Sequence, residues 1–390
     1  MLRLRYSERE IMEHLLGIGL VLSFVLPHTS TPLLLVNPLF FAVYQCFRMN
    51  RGVYRYNWIA VLPILFALIV NLPQNVKMKA VINAGTVLMY FLCFPIVGKV
   101  HLRNIYLKLT LGLIVFSQIV YLFHIPFLSD LLDRLYPIAE MDVHGVHSMR
   151  RYMSLSNILR YRLGGMYRDP NICAKSLTML LAAFLALNYG KSTRTLLPFS
   201  IVCFVAVLAT GSRTGFAIAA AIIIAYLFLD KRISKFWRWG AVLVALGGLV
   251  FILTSRLGMR SLNISQGFQN SASPKYLIFK DYLDHEESLF RLLTGYLDYE
   301  RFIPTVVASI EKFDADVGYL IYCFGFIGFL AIIVYFYTIF RRMDAMRYIV
   351  FALLLWMLTL SIVMAYRSFF SFMLILSCVY STHKKEVDIE

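Results

Sequence analysis

Long apolar segments recur along the whole chain, and they constrain its fold more than any other feature of the sequence. Each is about 17–25 residues long, the length that an α-helix needs to cross the hydrocarbon core of a bilayer. With 59% hydrophobic and only 15% charged residues, the chain lacks the polar surface that a soluble domain of 390 residues requires. The sequence therefore predicts an all-α polytopic membrane protein, with residues 1–390 forming a single integral membrane domain.

Polar breaks divide the chain into about twelve predicted transmembrane helices. Their approximate bounds are 13–27, 31–47, 57–72, 78–98, 105–128, 170–189, 195–210, 214–230, 237–254, 317–340, 347–365 and 367–382. Eleven spans is the alternative, because only Arg367 separates the last two segments. The first apolar run, Leu15 to Leu26, has no small-residue cleavage site after it, so we interpret it as a retained span. The six cysteines lie in apolar segments without CxxC spacing, which is typical of reduced packing residues.

Lysine and arginine residues are concentrated in alternate connections between the predicted spans. Short loops rich in these residues mark the cytoplasmic side of a membrane. The basic segments are the N-terminus, 48–55, 99–108, 191–194, 231–238, 341–347 and 384–385. This pattern predicts an even number of spans with both termini in the cytoplasm. It also explains most of the net charge of +16 as membrane topology, and no nucleic-acid motif accompanies that charge.

Two long connections, about 129–169 and 255–316, fall on the opposite, outer side of the predicted membrane. Long connections within a compact protein are usually functional. The second contains YLIFKDYLDHEESLFRLLTGYL (276–297), whose apolar periodicity predicts amphipathic helices at the membrane surface. The sequence thus predicts a helical membrane body with two large outer loops that are partly helical.

Three arginines lie on the predicted outer side against the charge bias: Arg162, Arg168 and Arg213. Each precedes a span that runs inward. A helix N-terminus offers free N–H groups and a partial positive charge, which suits a phosphate. The planar fork of a guanidinium adds bidentate hydrogen bonds that favour a diphosphate. The three arginines are therefore candidates for diphosphate binding, and the alternative for Arg213 alone is a side chain that snorkels to the interface.

The stretch RDPN (168–171) begins the sixth predicted span. Asp169 is placed to cap the helix, and Pro170 fits its first turn, where an N–H has no partner in any case. Lys175, one turn further in, adds a cation on the outer side and joins the diphosphate-binding candidates. Its alternative role is pairing with a neighbouring carbonyl. Asn171 is an additional substrate-binding candidate.

The stretch TGSRTG (210–215) begins the eighth predicted span. Thr210 or Ser212 is placed to cap this helix. Gly211 and Gly215 let another chain or a ligand approach the backbone closely, because neither carries a Cβ.

None of the 22 acidic residues lies in the middle of a predicted span. Ion-coupled transporters usually need a carboxylate near the bilayer midplane, so the pattern counts against a transporter. Asp314 and Asp316 instead lie directly before the tenth span, on the outer side. Glycosyl transfer from a diphosphate needs a base for the acceptor hydroxyl and cations for the leaving phosphate, so these two are the catalytic candidates. No DxD-type signature predicts a metal, and DHEE (284–287) is typical of a surface charge cluster.

Four short stretches resemble the O-antigen polymerase and O-antigen ligase superfamily of bacterial inner-membrane proteins. They are RLGGMYRDPNICA (162–174), TGSRTGFAIA (210–219), LLTGYLDYERFI (292–303) and DADVGYLIYCFGFIGFL (314–330). The layout of about twelve spans with two large periplasmic loops is also similar, so the resemblance covers most of the chain beyond residue 150. Three further arginines are additional substrate-binding candidates: Arg291, Arg301 and Arg367.

The resemblance implies an enzyme that transfers a glycan from an undecaprenyl-diphosphate carrier to an acceptor in the periplasm. In polymerases the acceptor is another lipid-linked repeat unit, and in ligases it is the lipid A core. Ligases of this group depend on a histidine at the start of the span after the large loop. Here Asp314 and Asp316 occupy that place, and the nearest loop histidine, His285, lies about thirty residues earlier. This departure favours a polymerase and leaves the general base unassigned.

Three alternatives stay open from the sequence. The first is a ligase that transfers finished glycan to the lipid A core. The second is a flippase or exporter of lipid-linked oligosaccharides, which would hold the diphosphate without breaking a bond. The third is a scaffold of envelope assembly. A polymerase would use no cofactor and no metal, and it would meet its lipid-linked glycan within the membrane lipid of the bacterial inner membrane. It would work beside a flippase and a chain-length regulator of the same pathway.

Overall fold

A computed structural model describes part of the chain. The described residues are 2–26, 56–72, 78–93, 102–136 without 124, 163–191 without 168, 193–230, 232–247 without 237, 241, 244 and 245, 282–283, 288–297, 316–358 without 345, and 366–383. About 86% of these residues are helical, and none of them belongs to a β-strand. The predicted all-α character is confirmed for this part of the chain.

The helices follow the predicted spans. In chain order they are α1 (Leu2–Val25), α2 (Asn57–Asn71), α3 (Met78–Cys93), α4 (Asn104–Leu122), α5 (Pro126–Leu135), α6 (Pro170–Leu187), α7 (Thr193–Ala209), α8 (Arg213–Leu229), α9 (Leu289–Thr294), α10 (Asp316–Arg341), α11 (Arg347–Leu354) and α12 (Tyr366–His383). A turn of 3-10 helix, Leu355–Leu358, continues α11. Ten of the twelve predicted spans contain one of these helices. The predicted span 31–47 lies outside the described residues, and much of 237–254 does so as well.

Three of these helices are long and apolar enough to cross a membrane: α4, α6 and α10. Several others, including α2, α7 and α8, are apolar but shorter. The structure therefore supports a membrane protein, and the full count of twelve spans stays a prediction.

Helix α6 is the centre of the bundle. It packs against α4, α7, α8, α11 and α12, and every residue from Cys173 to Ala186 is buried. Phe184 stacks on Phe199 of α7 with 3.8 Å between ring centroids. The indole N–H of Trp356 donates a 2.9 Å hydrogen bond to the Thr178 hydroxyl. A helix that is apolar on all sides is stable when other helices cover it, and α6 is covered in this way.

One end of the bundle gathers helix ends that the charge pattern predicts to share the cytoplasmic side, and we call it the basic end. The side-chain amides of Asn104, which begins α4, and Asn188, which follows α6, exchange hydrogen bonds of 2.6 and 2.8 Å. The Lys191 ammonium donates to the same Asn188 amide oxygen at 2.7 Å. His383, at the end of α12, lies 2.8 Å from the Ala186 carbonyl oxygen. Helix ends predicted to share one side are thus joined directly.

The opposite end, which we call the capped end, gathers helix ends that are predicted to face outward. The segment 163–167 lies buried here between the ends of α1, α4 and α7, just before α6 begins. The Gln118 amide of α4 donates to the Leu163 carbonyl at 3.2 Å. The Tyr167 hydroxyl donates to the Phe24 carbonyl of α1 at 2.9 Å. Helices α1, α4 and α7 therefore end, and α6 begins, at this end of the bundle.

The predicted span 105–128 has a wrong boundary. Helix α4 ends at Leu122, and a separate helix, α5, begins at Pro126. A residue that precedes proline disfavours helical geometry, and Ile125 accordingly has an extended backbone with φ −78° and ψ 103°. The proline therefore converts the end of the predicted span into a short second helix.

Candidate functional site

Two helices of the capped end begin with the predicted caps. The Asp169 carboxylate accepts a 2.7 Å hydrogen bond from the Asn171 N–H, and Pro170 occupies the first turn of α6. At α8, the Ser212 hydroxyl accepts a 3.2 Å hydrogen bond from the Gly215 N–H. Both caps are confirmed, because side-chain oxygens satisfy N–H groups that the first turn of a helix leaves unpaired.

The starts of α6 and α8 are in close contact at Gly215. A Cβ at this position would lie 2.6 Å from the Cβ of Ala174, so a larger residue would push the two helices apart. The prediction that Gly215 permits a close approach is confirmed, and the approaching group is the neighbouring helix. Thr210, the other capping candidate, accepts a 3.1 Å hydrogen bond from the Ser212 N–H and stabilises the turn into α8.

Two buried residues of opposite charge interact electrostatically near the starts of α6 and α10. Lys175, in the second turn of α6, is only 3% exposed, and Asp316, the first residue of α10, is fully buried. The negative charges of Asp316 and Asp169 both act on the Lys175 ammonium, and Asp316 has the larger effect. Charges at this depth are retained when they are paired, because an isolated buried charge is very costly. The structure thus brings together two residues that the sequence selects for separate roles.

Arg213 begins α8, and its side chain is exposed. Its helix contacts α6 at Ala174, the residue before Lys175. Within the described part of the chain, no hydrogen bond or ion pair holds its guanidinium. An exposed guanidinium at a helix N-terminus is well suited to bind an anion. Arg213 therefore keeps the role that the sequence assigns to it as a candidate.

Arg291, by contrast, is engaged within the protein. Its Nη1 atom donates a 2.8 Å hydrogen bond to the Asn71 amide oxygen at the end of α2. Its guanidinium also lies 5.3 Å from the centroid of the Tyr296 ring. The Asn71 amide in turn donates to the Gly295 carbonyl at 3.3 Å. These contacts favour an anchoring role for Arg291, which holds the segment after α9 against α2.

Helix α10 is broken at Gly325, where the sequence predicts a continuous span. The backbone there has φ 68° and ψ 178°. The segment after α9 fills the break, because the N–H groups of Tyr296 and Leu297 donate to the carbonyls of Tyr322 and Cys323 at 2.8 and 3.0 Å. Non-helical backbone at membrane depth is tolerated where protein covers it and satisfies its polar groups. The break therefore ties part of the long outer connection directly into the bundle.

Sequence reasoning missed two polar residues of α4 that order the approach to α6. The Ser117 hydroxyl accepts a 3.0 Å hydrogen bond from the Met166 N–H. The Gln118 amide donates to the Ala206 carbonyl of α7 at 3.2 Å, besides its bond to Leu163. The sequence signal that could have identified them is that they are two adjacent polar residues inside an apolar run. They hold the segment before α6 in place and so fix where that helix begins.

Of the remaining candidates, Asn171 alone has a side chain within the described part of the chain. Those outside the described residues are Arg162, Arg168, Arg301 and Asp314. Arg367 belongs to α12, but its side chain lies outside the described part of the chain. Asn171 is half-buried at the start of α6, beside its cap. Of the candidates, the structure thus shows an electrostatic interaction between Asp316 and Lys175, and it places Arg213 at the start of a helix that packs against α6 at Ala174.

Comparison with known proteins does not identify a family for this chain. No protein-family model matches the chain, and no curated protein matches it. The class that the described residues define is a helical bundle with helices able to cross a membrane. Its capped end holds a buried lysine–aspartate pair and an exposed arginine.

Proposed function

We propose that this protein is a membrane glycosyltransferase that extends a lipid-linked glycan in the manner of an O-antigen polymerase. The donor is an oligosaccharide repeat unit on undecaprenyl diphosphate, and the acceptor is a hydroxyl of a second lipid-linked unit. The proposal depends on the buried, electrostatically interacting Asp316 and Lys175, together with the exposed Arg213 at the start of α8, which packs against α6 at Ala174. This end combines a carboxylate with cations, as the chemistry of a diphosphate leaving group requires.

In the proposed reaction Asp316 accepts the proton of the acceptor hydroxyl. The hydroxyl oxygen forms the new glycosidic bond at the anomeric carbon while the bond from that carbon to the carrier diphosphate breaks. The carrier diphosphate leaves with the electron pair, and Arg213 and the N-terminus of α8 stabilise its charge. Because Asp316 is fully buried, the groups that cover it have to move aside to admit the acceptor.

Lys175 has a supporting role in this scheme. Its positive charge acts on the negative charge of Asp316 and so offsets part of the cost of burying that carboxylate. Lys175 is thus a positioning residue that acts through Asp316, and direct binding of the diphosphate falls to Arg213.

The same proposal assigns the two ends of the bundle to the two sides of the bacterial inner membrane. The basic end takes the cytoplasmic side because it carries residues such as Arg103, Arg232 and Arg342, and the positive-inside rule places such residues in the cytoplasm. This assignment also places both termini in the cytoplasm. It therefore requires an even number of spans, and the proposed number is twelve. The capped end then faces the periplasm, where the lipid-linked repeat units are joined.

Reconstitution tests this function against its alternatives. Purified protein in lipid vesicles would receive lipid-linked repeat units, with lipid A core supplied in a parallel sample, and the glycans would then be sized. We expect a ladder of longer lipid-linked glycans without lipid A core. A ligase would give glycan on the core only. A flippase would give unextended glycan that crosses the bilayer, and a scaffold would give none of these products.

The exposed arginine gives a sharper test of the site. We expect Arg213→Ala to slow glycan extension by roughly ten- to a hundredfold, because one charge-assisted hydrogen bond contributes about 1.5–3 kcal/mol. Arg213→Lys should be impaired nearly as much, since lysine keeps the charge but loses the bidentate fork. The measurement is glycan chain length in cells, normalised to the amount of protein in the membrane.

A snorkelling Arg213 would behave differently. Lysine would then replace arginine fully, and alanine would lower protein abundance without shortening the glycan. Normal chains in the alanine variant at normal abundance would remove Arg213 from diphosphate binding.

A further inference from the structure

The short helix α5 lies at the capped end and has three chemically distinct sides. Ser129 faces the bundle and is buried. Phe127, Leu131 and Leu135 are exposed by 77%, 43% and 52%, although all three are apolar. They follow one another at intervals of four residues, so they form one stripe along the helix.

Charged residues border this stripe on one edge only. Asp130 and Arg134 are both exposed. Because each residue turns an α-helix by roughly 100°, these two lie to one side of Phe127, while Leu131 and Leu135 lie to the other. The exposed surface of α5 is therefore divided lengthwise into an apolar side and a charged side.

Contacts with neighbouring helices fix the orientation of α5. The Tyr121 hydroxyl of α4 donates a 3.0 Å hydrogen bond to the Asp133 carboxylate. Leu132 packs with Tyr121, Leu163 and Ala209 in a small apolar cluster at the capped end. The helix is thus held in place against α4 and the end of α7, and its apolar stripe cannot turn inward.

We propose that α5 lies in the plane of the membrane at its outer surface, with Phe127, Leu131 and Leu135 inserted among the lipids. The bilayer is the occupant because α5 follows the end of α4, where Ile119 and Phe123 are also apolar and are 42% and 60% exposed. Helix α4 is one of those able to cross a membrane, so its exposed apolar side faces lipid. An apolar side in lipid and a charged side in water is the arrangement of an interfacial helix.

This inference goes beyond the proposed function, and it holds whether or not the protein transfers glycans. It also has a consequence for the site. Leu132 and Ala209 pack against the same two residues, Tyr121 and Leu163, and Ala209 lies only a few residues before Arg213, so the depth of α5 in the membrane also determines the depth of that turn. Arg213 then lies at the level of the lipid phosphates.

Site-directed spin labelling of the full-length protein in phospholipid vesicles tests the placement. The native cysteines would be replaced, including the four buried free ones at Cys173, Cys203, Cys323 and Cys378. Single labels would then be introduced by Phe127→Cys and Leu131→Cys on the stripe, and by Asp130→Cys and Arg134→Cys as matched controls on the same helix. All four positions are exposed, so the labels should leave the fold intact.

The readout is the accessibility of each label to oxygen, which concentrates in lipid, and to a water-soluble nickel complex. We expect the ratio of oxygen to nickel accessibility to be several-fold higher on the stripe than at the two controls. Equal ratios at all four positions would overturn the proposal, since the stripe would then face water. Exclusion of both reagents from the stripe would also overturn it, because another protein surface, such as a second copy of the chain, would then cover α5.

Discussion

Asp316→Asn should abolish glycan extension and also lower the amount of folded protein. Loss of a general base typically slows a reaction by about 10²–10⁴-fold. The substitution also removes the stronger of the two negative charges that act on the buried Lys175 ammonium. Breaking a buried ion pair from one side costs about 3–5 kcal/mol. We would measure glycan length and membrane abundance in the same cells, because the two effects have different causes.

A double variant separates these causes. Lys175→Met with Asp316→Asn removes both charges and keeps a long, flexible side chain in the helix. Such a replacement of a buried pair is often neutral for stability. We expect the double variant to regain abundance without regaining extension. If the double variant makes normal glycan, the pair serves only the fold, and Asp316 takes no part in the chemistry.

Gly325→Ala should prevent the bundle from reaching its native structure. An added Cβ would lie 2.1 Å from the Leu293 carbonyl oxygen, and the backbone at Gly325 has φ 68°. The left-handed conformation alone costs a side-chain-bearing residue about 1–2 kcal/mol. The clash adds to this cost because both atoms belong to rigidly held backbone. We therefore expect little folded protein in detergent, measured by size-exclusion chromatography and by thermal unfolding.

Gly112→Ala in α4 is the matched control, since a Cβ there meets no atom within 4 Å. Alanine favours a helix over glycine by about 1 kcal/mol, so this variant should unfold at an equal or slightly higher temperature. Equal stability of Gly325→Ala and Gly112→Ala would mean that α10 runs unbroken through residue 325.

Local features of the fold could be predicted from the sequence because local residues determine them. The caps at Asp169 and Ser212 depend on residues within the same turn, and apolar run length determines most of the helices. The break at Gly325 could not be predicted in this way. It depends on Tyr296 and Leu297, which come from another part of the chain and complete the hydrogen bonds of the broken helix.

The candidate site shows the same limit. Residue type and position were enough to select Lys175, Asp316 and Arg213 from the sequence. The interaction of Asp316 with Lys175 could not be predicted, because α6 and α10 are far apart in the chain and only the folded bundle brings these two charges together. Lys175 therefore looked like a cation available to a ligand, and the structure gives it a buried carboxylate as a neighbour.

The proposed function requires this protein to break the bond between a glycan and its lipid diphosphate carrier. The most direct measurement is the amount of carrier diphosphate released by purified protein in vesicles, counted against the glycosidic bonds formed. We predict one released carrier for every repeat unit added, and neither product with Asp316→Asn. If the lipid-linked units cross the bilayer intact and no carrier is released, the protein is not a glycosyltransferase.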